Sequence, residues 1–230
     1  MPFLTAILPA AGSSTRFGSN RNKLLEDLGG RPVVVHAIGA LLGHPQVDRV
    51  YIATQHEAGL RKLVEQHLGE AAARITWCWG GPSRQHSVLS ALRLVDEQAE
   101  WVAIHDAARP LVSADLIDRT FEAARRYGAA APAQAVALTI KQARAPLPAK
   151  VERTIPRHNL FAMQTPQVMR RRDLLAAFER CPIPLEQVTD DAQLLELAGQ
   201  DVWLVDGEAQ NLKITTALDL EFAQRLMRMD

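Results

Sequence analysis

Net charge is what this 230-residue chain has least of: 26 lysines and arginines are matched by 26 aspartates and glutamates. With no global field to draw the protein onto nucleic acid or an anionic membrane, any anion site has to be local. Aromatic residues are scarce at 5%, which also argues against a nucleic-acid partner. Only two cysteines occur, Cys78 and Cys181. Their isolation excludes a zinc-ligand spacing and a disulfide framework, and they are expected as buried thiols in a reducing compartment. No apolar run approaches the ~18 residues of a membrane span. The first residues, Met1-Pro2-Phe3-Leu4-Thr5, lack the basic stretch of a signal peptide and lead straight into an apolar strand. These absences point to a cytoplasmic protein with no membrane partner. Its 47% hydrophobic content is enough for a full core. Residues 1–230 are read as a single domain, a size that α/β domains commonly reach.

What the chain does have is concentrated at its start. Ala6-Ile7-Leu8 reads as a buried strand, and it runs into Pro9-Ala10-Ala11-Gly12-Ser13-Ser14-Thr15-Arg16-Phe17-Gly18, with Lys23 just beyond. Small residues let backbone N–H groups approach an anion, and Arg16 and Lys23 could add charge-assisted contacts to phosphate oxygens. Two better-known phosphate loops do not fit. A Walker A loop needs four residues between its glycines and then Lys-Ser/Thr, but Gly12 and Gly18 are separated by five residues and Ser19 follows. The dinucleotide fingerprint needs a second glycine where Ser14 stands. An ordinary strand-to-helix turn also favours glycine and serine, so the loop alone leaves both readings open.

Short apolar runs alternate with amphipathic stretches through the first two-thirds of the chain. The pattern predicts strands near Thr5–Leu8, Val50–Thr54, Ile75–Cys78, Trp101–Ile104 and Ala129–Ala133. It predicts helices near Pro32–Leu42, Ala58–His67, Arg84–Val95 and Ala114–Tyr127, with Pro32 in a first helical turn and Ser113 as an N-cap. Such alternation implies an α/β fold, a Rossmann-like, mostly parallel sheet flanked by helices. Ligands in these folds bind beyond the carboxyl ends of the strands, where the strand order switches. The loops at Gly12, Gly80-Gly81 and Asp106 all follow predicted strands. From about 138 to 156 the alternation breaks, and Leu138–Gln142 and Val151–Ile155 read as a protruding β-hairpin arm. A two-stranded arm is marginal alone, so it is expected to pack on something, with a second subunit as the candidate. Helices near Arg171–Arg180 and Thr189–Ala198, a strand near Val202–Val205 and a helix from Thr216 complete the chain.

Two further loops carry chemistry. In Gly80-Gly81-Pro82-Ser83-Arg84-Gln85-His86-Ser87-Val88, paired glycines allow a flat ligand such as a nucleobase to approach the backbone, and Ser87 can bond in the plane of a base. Ser83 also reads as a helix N-cap. In His105-Asp106-Ala107-Ala108-Arg109-Pro110, an acid at the end of a buried strand suits a magnesium ion beside phosphates or a ribose hydroxyl. A simple Asp106–Arg109 staple would explain the charges equally well.

Taken together with Gln164-Thr165-Pro166-Gln167, Thr189-Asp190 and Asn211-x-Lys213-x-Thr215, these motifs resemble the 2-C-methyl-D-erythritol 4-phosphate cytidylyltransferases, a family of polyol-phosphate nucleotidyltransferases in non-mevalonate isoprenoid biosynthesis. The resemblance runs from about Ala6 to about Leu220. It implies transfer of CMP from CTP to methylerythritol phosphate, with Mg²⁺ as cofactor, in a homodimer joined through the arm. It assigns Pro9, Ala10, Ala11 and Gly12 to the CTP phosphates, Gly80, Gly81 and Ser87 to cytosine, and Asp106 and Ala107 to the ribose and metal region. Arg16, Lys23, Arg157 and Lys213 become the catalytic cations, and Arg109, Thr139, Thr165 and Thr189 complete the second substrate's site. Asp106 is the candidate metal ligand, with the CTP phosphates as the other means of holding Mg²⁺.

The chemistry suits these residue types. A phosphate-monoester nucleophile is already anionic, so positioning and charge stabilisation matter more than a general base. Some positions depart from the family's pattern: Asn22-Lys23-Leu24-Leu25 replaces a lysine set between proline and Gln-Tyr, while Pro82 and Gln210 stand where acidic residues are common. The alternatives are a ribitol 5-phosphate cytidylyltransferase, which would share the nucleotide half, and a non-catalytic nucleotide-binding module.

Overall fold

The computed structural model describes residues 3–12, 17 and 22–228. Arg16, Gly18 and the small residues 13–15 of the first loop lie outside the described residues. The elements in chain order are β1 (Leu4–Pro9), β2 (Asp27–Leu28), β3 (Arg31–Pro32), α1 (Val33–Gly43), β4 (Val47–Thr54), α2 (Glu57–Leu68), β5 (Ile75–Trp79), α3 (Arg84–Leu92), β6 (Trp101–Ile104) and α4 (Ala114–Tyr127). They continue with β7 (Ala129–Ala135), β8 (Ile140–Ala143), β9 (Val151–Ile155), β10 (Phe161–Met163), β11 (Gln167–Arg170), α5 (Arg171–Glu179), α6 (Asp191–Leu197), β12 (Trp203–Asp206) and α7 (Ala217–Leu226).

Among the described residues, eight strands form the main sheet, running β5-β4-β1-β6-β11-β7, with β10 beside β11 on one edge of β7 and β12 on its other edge. The strands β5, β4, β1 and β6 are mutually parallel, whereas β10 and β11 run antiparallel to their partners. The sheet is therefore mostly parallel, as its apolar strands imply. Strand order turns at β1, whose neighbours are β4 on one side and β6 on the other. That is the switch point beyond which ligands bind in such sheets.

Side chains alternate across β1 as the pleat requires. Leu4, Ala6 and Leu8 face a core built with α1, α2 and α4. Ile7 faces a second core with α3, α5 and α6. A smaller cluster of Phe17, Leu28, Val33, Ile214 and Ala223 lies under α7. Its Leu28 is delivered by the tight β2–β3 turn, where Gly29 and Gly30 adopt φ of 63° and 87°; two successive positive φ values are what a two-residue hairpin turn needs.

Most expected elements are present within a few residues of their sequence bounds, with corrections. Pro32 precedes α1 at its cap and ends β3 instead of opening the first helical turn; lacking an N–H, it forfeits nothing there. The helix expected from Thr189 begins at Asp191, because the Asp190 side chain caps it by accepting from Gln193 N. Strands β10 and β11 were not expected at all. Cys78 is buried, but Cys181 is only half-buried, and both are free thiols. The arm is a separate two-stranded antiparallel sheet, β8 with β9. Leu138, Leu147 and Val151 along it are exposed, Leu147 to 81%.

Candidate active site

Three loops converge beyond the carboxyl ends of β1, β5 and β6 around a cleft of about 490 Å³. Its walls include Pro9–Gly12, Gly81–Ser83, Ser87 and Asp106–Ala108. Backbone bonds fix the first two loops: Ala10 N donates to Ala53 O at 2.8 Å and Gly80 N to Thr54 O at 3.0 Å. Gly80 does not line the cleft. A Cβ there would lie 2.3 Å from Ala11 Cβ, so the glycine is what lets the β5 loop pack against the β1 loop. Ser83 caps α3 by accepting from His86 N, and the Ser87 hydroxyl donates to Ser83 O at 3.0 Å. Ser87 therefore presents its oxygen lone pairs as acceptors. Lys23 also lines the cleft. It opens a single 3-10 turn, Lys23–Leu25, which the Asn22 side chain caps and buried Leu24 anchors. The departure around Lys23 thus has its own local support.

Asp106, at the end of β6, is buried among cations. Its Oδ1 lies 3.2 Å from Arg84 Nε, and its Oδ2 lies 2.9 Å from Lys213 Nζ and 3.4 Å from Arg109 Nε. Burial alone would raise its pKa, but Arg84, then Lys213 and Arg109, outweigh it and hold the carboxyl far below the usual range. Lys213 is delivered by the segment before α7. Ile214 is buried in the small cluster under that helix, and Ile214 N donates to Ala108 O at 2.9 Å. The following helix is fixed by a capping box between Thr216 and Asp219.

A second cleft of about 280 Å³ opens on the other side of this carboxylate. It is lined by Arg109, Met163, Gln164, Thr165, Gln167, Thr189 and Asp190. Arg84, Asp106 and Lys213 line both clefts and form the seam between them. Two cavities that share one charged wall can bring two anionic ligands end to end.

The second cleft is built on an extended polar network. Neutral His105 is its centre: Nε2 donates to Arg109 O at 3.0 Å, so Nδ1 accepts from the Thr165 hydroxyl at 3.0 Å. That hydroxyl in turn accepts from Asp106 N at 3.1 Å. Burial, with Arg109 and Arg84 nearby, pushes the His105 pKa down from 6.5 to about 4. Arg109 donates to Asn211 O at 2.7 Å and Met163 O at 3.3 Å. The same burial lowers its pKa, with Asp106 opposing. Arg109, expected as a substrate contact, is thus largely engaged in holding the cleft's own backbone. Thr165 is likewise committed internally. Thr189 reaches the cleft from an exposed position, its N and Oγ1 both donating to Gln193 Oε1.

Two expected residues are not brought here by this chain. Thr139 and Arg157 are exposed at the base of the arm and line neither cleft; Arg157 instead donates to Ala137 O. Both oxygens of Asp106, the candidate metal ligand, face cations in this structure. Among the described residues no group of three or more His, Cys, Asp or Glu could hold a metal. Among the described residues lining the larger cleft Asp106 is the one carboxylate, so Mg²⁺ there would draw its other oxygens from ligand phosphates. Of the other departures, Pro82 is part of the cleft wall, while Gln210 is exposed and touches Glu208. Sequence reasoning missed Arg84 and His105 as site-builders. Both stood inside the motifs, but Arg84's carboxylate partners and His105's Thr165 are distant in sequence. Among the described residues no helix is long and apolar enough to cross a membrane.

The family model for 2-C-methyl-D-erythritol 4-phosphate cytidylyltransferase (IspD) matches residues 4–229. A protein of that name from Gloeobacter violaceus is 40% identical over 224 residues, which is 96% of this chain and 95% of the relative. A "Bifunctional enzyme IspD/IspF" from Mesorhizobium japonicum is also 40% identical, over 97% of this chain but 55% of the relative; the chain spans little more than half the length of such bifunctional relatives. The crystal structure of 2-C-methyl-D-erythritol 4-phosphate cytidylyltransferase from Thermus thermophilus superposes with a TM-score of 0.78 at 32% identity, covering 99% of this chain and 100% of that one.

Proposed function

This chain belongs to the 2-C-methyl-D-erythritol 4-phosphate cytidylyltransferase family, and we propose that it transfers CMP from CTP to methylerythritol phosphate, releasing pyrophosphate. The observation that carries this reading is the seam of Arg84, Asp106 and Lys213 shared by two clefts. CTP occupies the larger cleft, its phosphates along Pro9–Gly12 and its base toward Gly81 and Ser87. The polyol phosphate occupies the smaller one. Its phosphate oxygen attacks the α-phosphorus of CTP, a new P–O bond forms, and the bond to the β-phosphate oxygen breaks as pyrophosphate departs. The attacking oxygen is already anionic, so no proton has to be removed.

The protein's task is to hold two polyanions together and to stabilise the charge that develops between them. Lys23 acts from the nucleotide side and Lys213 from the seam, where Asp106 fixes its ammonium. Arg16, which lies outside the described residues, is assigned to the CTP phosphates by the first loop's motif alone. Mg²⁺ would be held by the CTP phosphates beside Asp106 and would neutralise part of their charge, the usual mode where a protein supplies few carboxylates.

Thr139 and Arg157 reach the site from a second subunit. The arm's exposed Leu138, Leu147 and Val151 supply an apolar surface for that contact, in a two-stranded unit that is marginal by itself. The domain is thus a single nucleotidyltransferase unit with a dimerising insertion, and its free thiols suit the reducing cytoplasm.

The direct test measures pyrophosphate release with CTP, UTP, ATP and GTP, each paired with methylerythritol phosphate and ribitol phosphate. Turnover is expected for CTP with methylerythritol phosphate. A preference for ribitol phosphate would overturn the substrate, and no turnover with any pair would overturn the activity.

A further inference from the structure

Arg84 lines both clefts, and within their shared seam it has no part of its own in the transfer step. It is the first residue of α3 and follows the Ser83 cap, so its backbone belongs to the loop beside the nucleotide base. Its guanidinium crosses to two other loops. Nε donates to Asp106 Oδ1 at 3.2 Å, and Nη1 donates to Asp191 Oδ2 at 2.7 Å. The Asp191 side chain is fully buried, with 0% exposure, whereas a quarter of the Arg84 side chain remains accessible (26%). Asp191 opens α6 two residues after Thr189, which lines the smaller cleft.

The far end of this connection is held firmly. Gln167 Oε1 accepts from the backbone N of Asp191 and Ala192 at 3.0 and 2.9 Å, while its Nε2 donates to Asp190 Oδ2 at 2.9 Å. With its amide turned to satisfy its neighbours, Gln85 also donates to Asp191 Oδ1 at 3.0 Å. A planar guanidinium fixes two carboxylates at once in a way a flexible ammonium cannot. A structural ion pair needs only burial. It does not need to stand in the wall between two ligand cavities.

We propose that Arg84 is a positioning residue that couples the two clefts: by bridging Asp106 and Asp191 it ties the nucleotide loop to the Thr189–Asp191 loop, so that each ligand tightens the other. The inference rests on the nucleotidyl-transfer reading of the two clefts. Coupling of this kind is reciprocal and commonly 5–150-fold. Its physical carrier here is one side chain touching the loops of both sites.

The test uses the full chain with Mg²⁺ and the α,β-methylene analogue of CTP, which binds without being cleaved at that position. Calorimetry gives the Kd of methylerythritol phosphate with and without the analogue. Wild type is expected to show at least about fivefold tightening. In Arg84→Lys, which keeps the charge and loses the fork, the ratio should fall to within about twofold of unity, with the KM for methylerythritol phosphate rising more than kcat falls. Asp191→Asn removes the buried charge while leaving the Arg84–Asp106 contact, and it should lower the ratio as well. A wild-type ratio of one, or an Arg84→Lys ratio equal to wild type, would overturn the coupling. If Arg84→Lys fails to fold, an unchanged ratio in Asp191→Asn decides against it. Lack of wild-type pyrophosphate release would instead refute the transfer reaction, because coupling is read from binding alone.

Discussion

At the scale of single residues, the site is defined by groups whose hydrogen-bonding capacity is already directed. The Ser87 hydroxyl gives its proton to Ser83 O, so toward the cleft it can only accept. The exocyclic amine of cytosine is a donor at that edge, whereas uracil carries an acceptor carbonyl. Replacing Ser87 by alanine should therefore lower the ratio of kcat/KM for CTP over UTP by about tenfold, the size of one hydrogen bond near 1.4 kcal/mol. An unchanged ratio would remove Ser87 from base selection. His105 is directed in the same sense. Its neutral ring donates to Arg109 O and accepts from Thr165, and burial lowers its pKa from 6.5 to about 4. The unfolded chain binds this proton near pH 6.5, and the folded protein binds it only near pH 4. The stabilising contribution is thus complete above pH 6.5 and lost as pH falls toward 4, about 3 kcal/mol in all. Asp191, whose pKa burial raises despite Arg84, works in the opposite sense as it protonates in acid. Asp106, held low, keeps its stabilising contribution throughout this window and loses it only as pH falls below the ordinary carboxylate range. Urea unfolding of wild type and His105→Gln between pH 7.5 and 4.5 separates the histidine's share: the stability gap should narrow as pH falls. Parallel profiles would show that His105 does not carry this dependence.

At the scale of elements, the site depends on how closely two loops approach. Gly80 directly follows β5 and packs against the Ala11 loop, where an added Cβ would come within 2.3 Å of Ala11 Cβ. Gly80→Ala should force the β1 loop outward at a cost of about 1–3 kcal/mol, read as a rise of roughly tenfold or more in the KM for CTP. A KM equal to wild type would show that the loop spacing is not needed for nucleotide binding. The parallel part of this architecture was legible because β1, β4, β5 and β6 each carry a short, mostly apolar run between amphipathic helices, and each catalytic-looking loop follows one of them. Strands β10 and β11 were not legible. They span only Phe161–Met163 and Gln167–Arg170, too short for a two-residue period to stand out, and their pairing with β6 and β7 is set by tertiary contact. The same limit applies to side chains. The His105–Arg109 motif announced Asp106, but not the Arg84 and Lys213 partners of its carboxylate. Arg109 reads as a ligand contact and does line the smaller cleft, but nothing in its motif announces that its guanidinium also holds the carbonyls of Asn211 and Met163. Sequence spacing marks where a strand delivers a residue. It does not say which of its hydrogen-bonding groups folding will consume.

At the scale of the whole molecule, the protomer holds Lys213 at the seam while Arg157 and Thr139 stand exposed at the arm's base, outside both clefts. If the arm of one subunit completes the site of the other, the two cations of a working site come from different chains. Closed two-fold association then makes a quantitative demand on mixed dimers. Arg157→Ala and Lys213→Ala should each be nearly inactive alone. When the two are unfolded together and refolded in equal amounts, half of the dimers contain one chain of each kind. In such a dimer one site pairs an intact Lys213 with the other chain's intact Arg157, while the second site lacks both. One working site in half of the dimers gives about a quarter of wild-type activity, from two inactive parents. Were both residues to act within one chain, every site in the mixture would lack one cation and no activity would return. Pyrophosphate release from the refolded mixture, with dimer formation checked by light scattering, therefore distinguishes a site shared between subunits from one closed within a single chain.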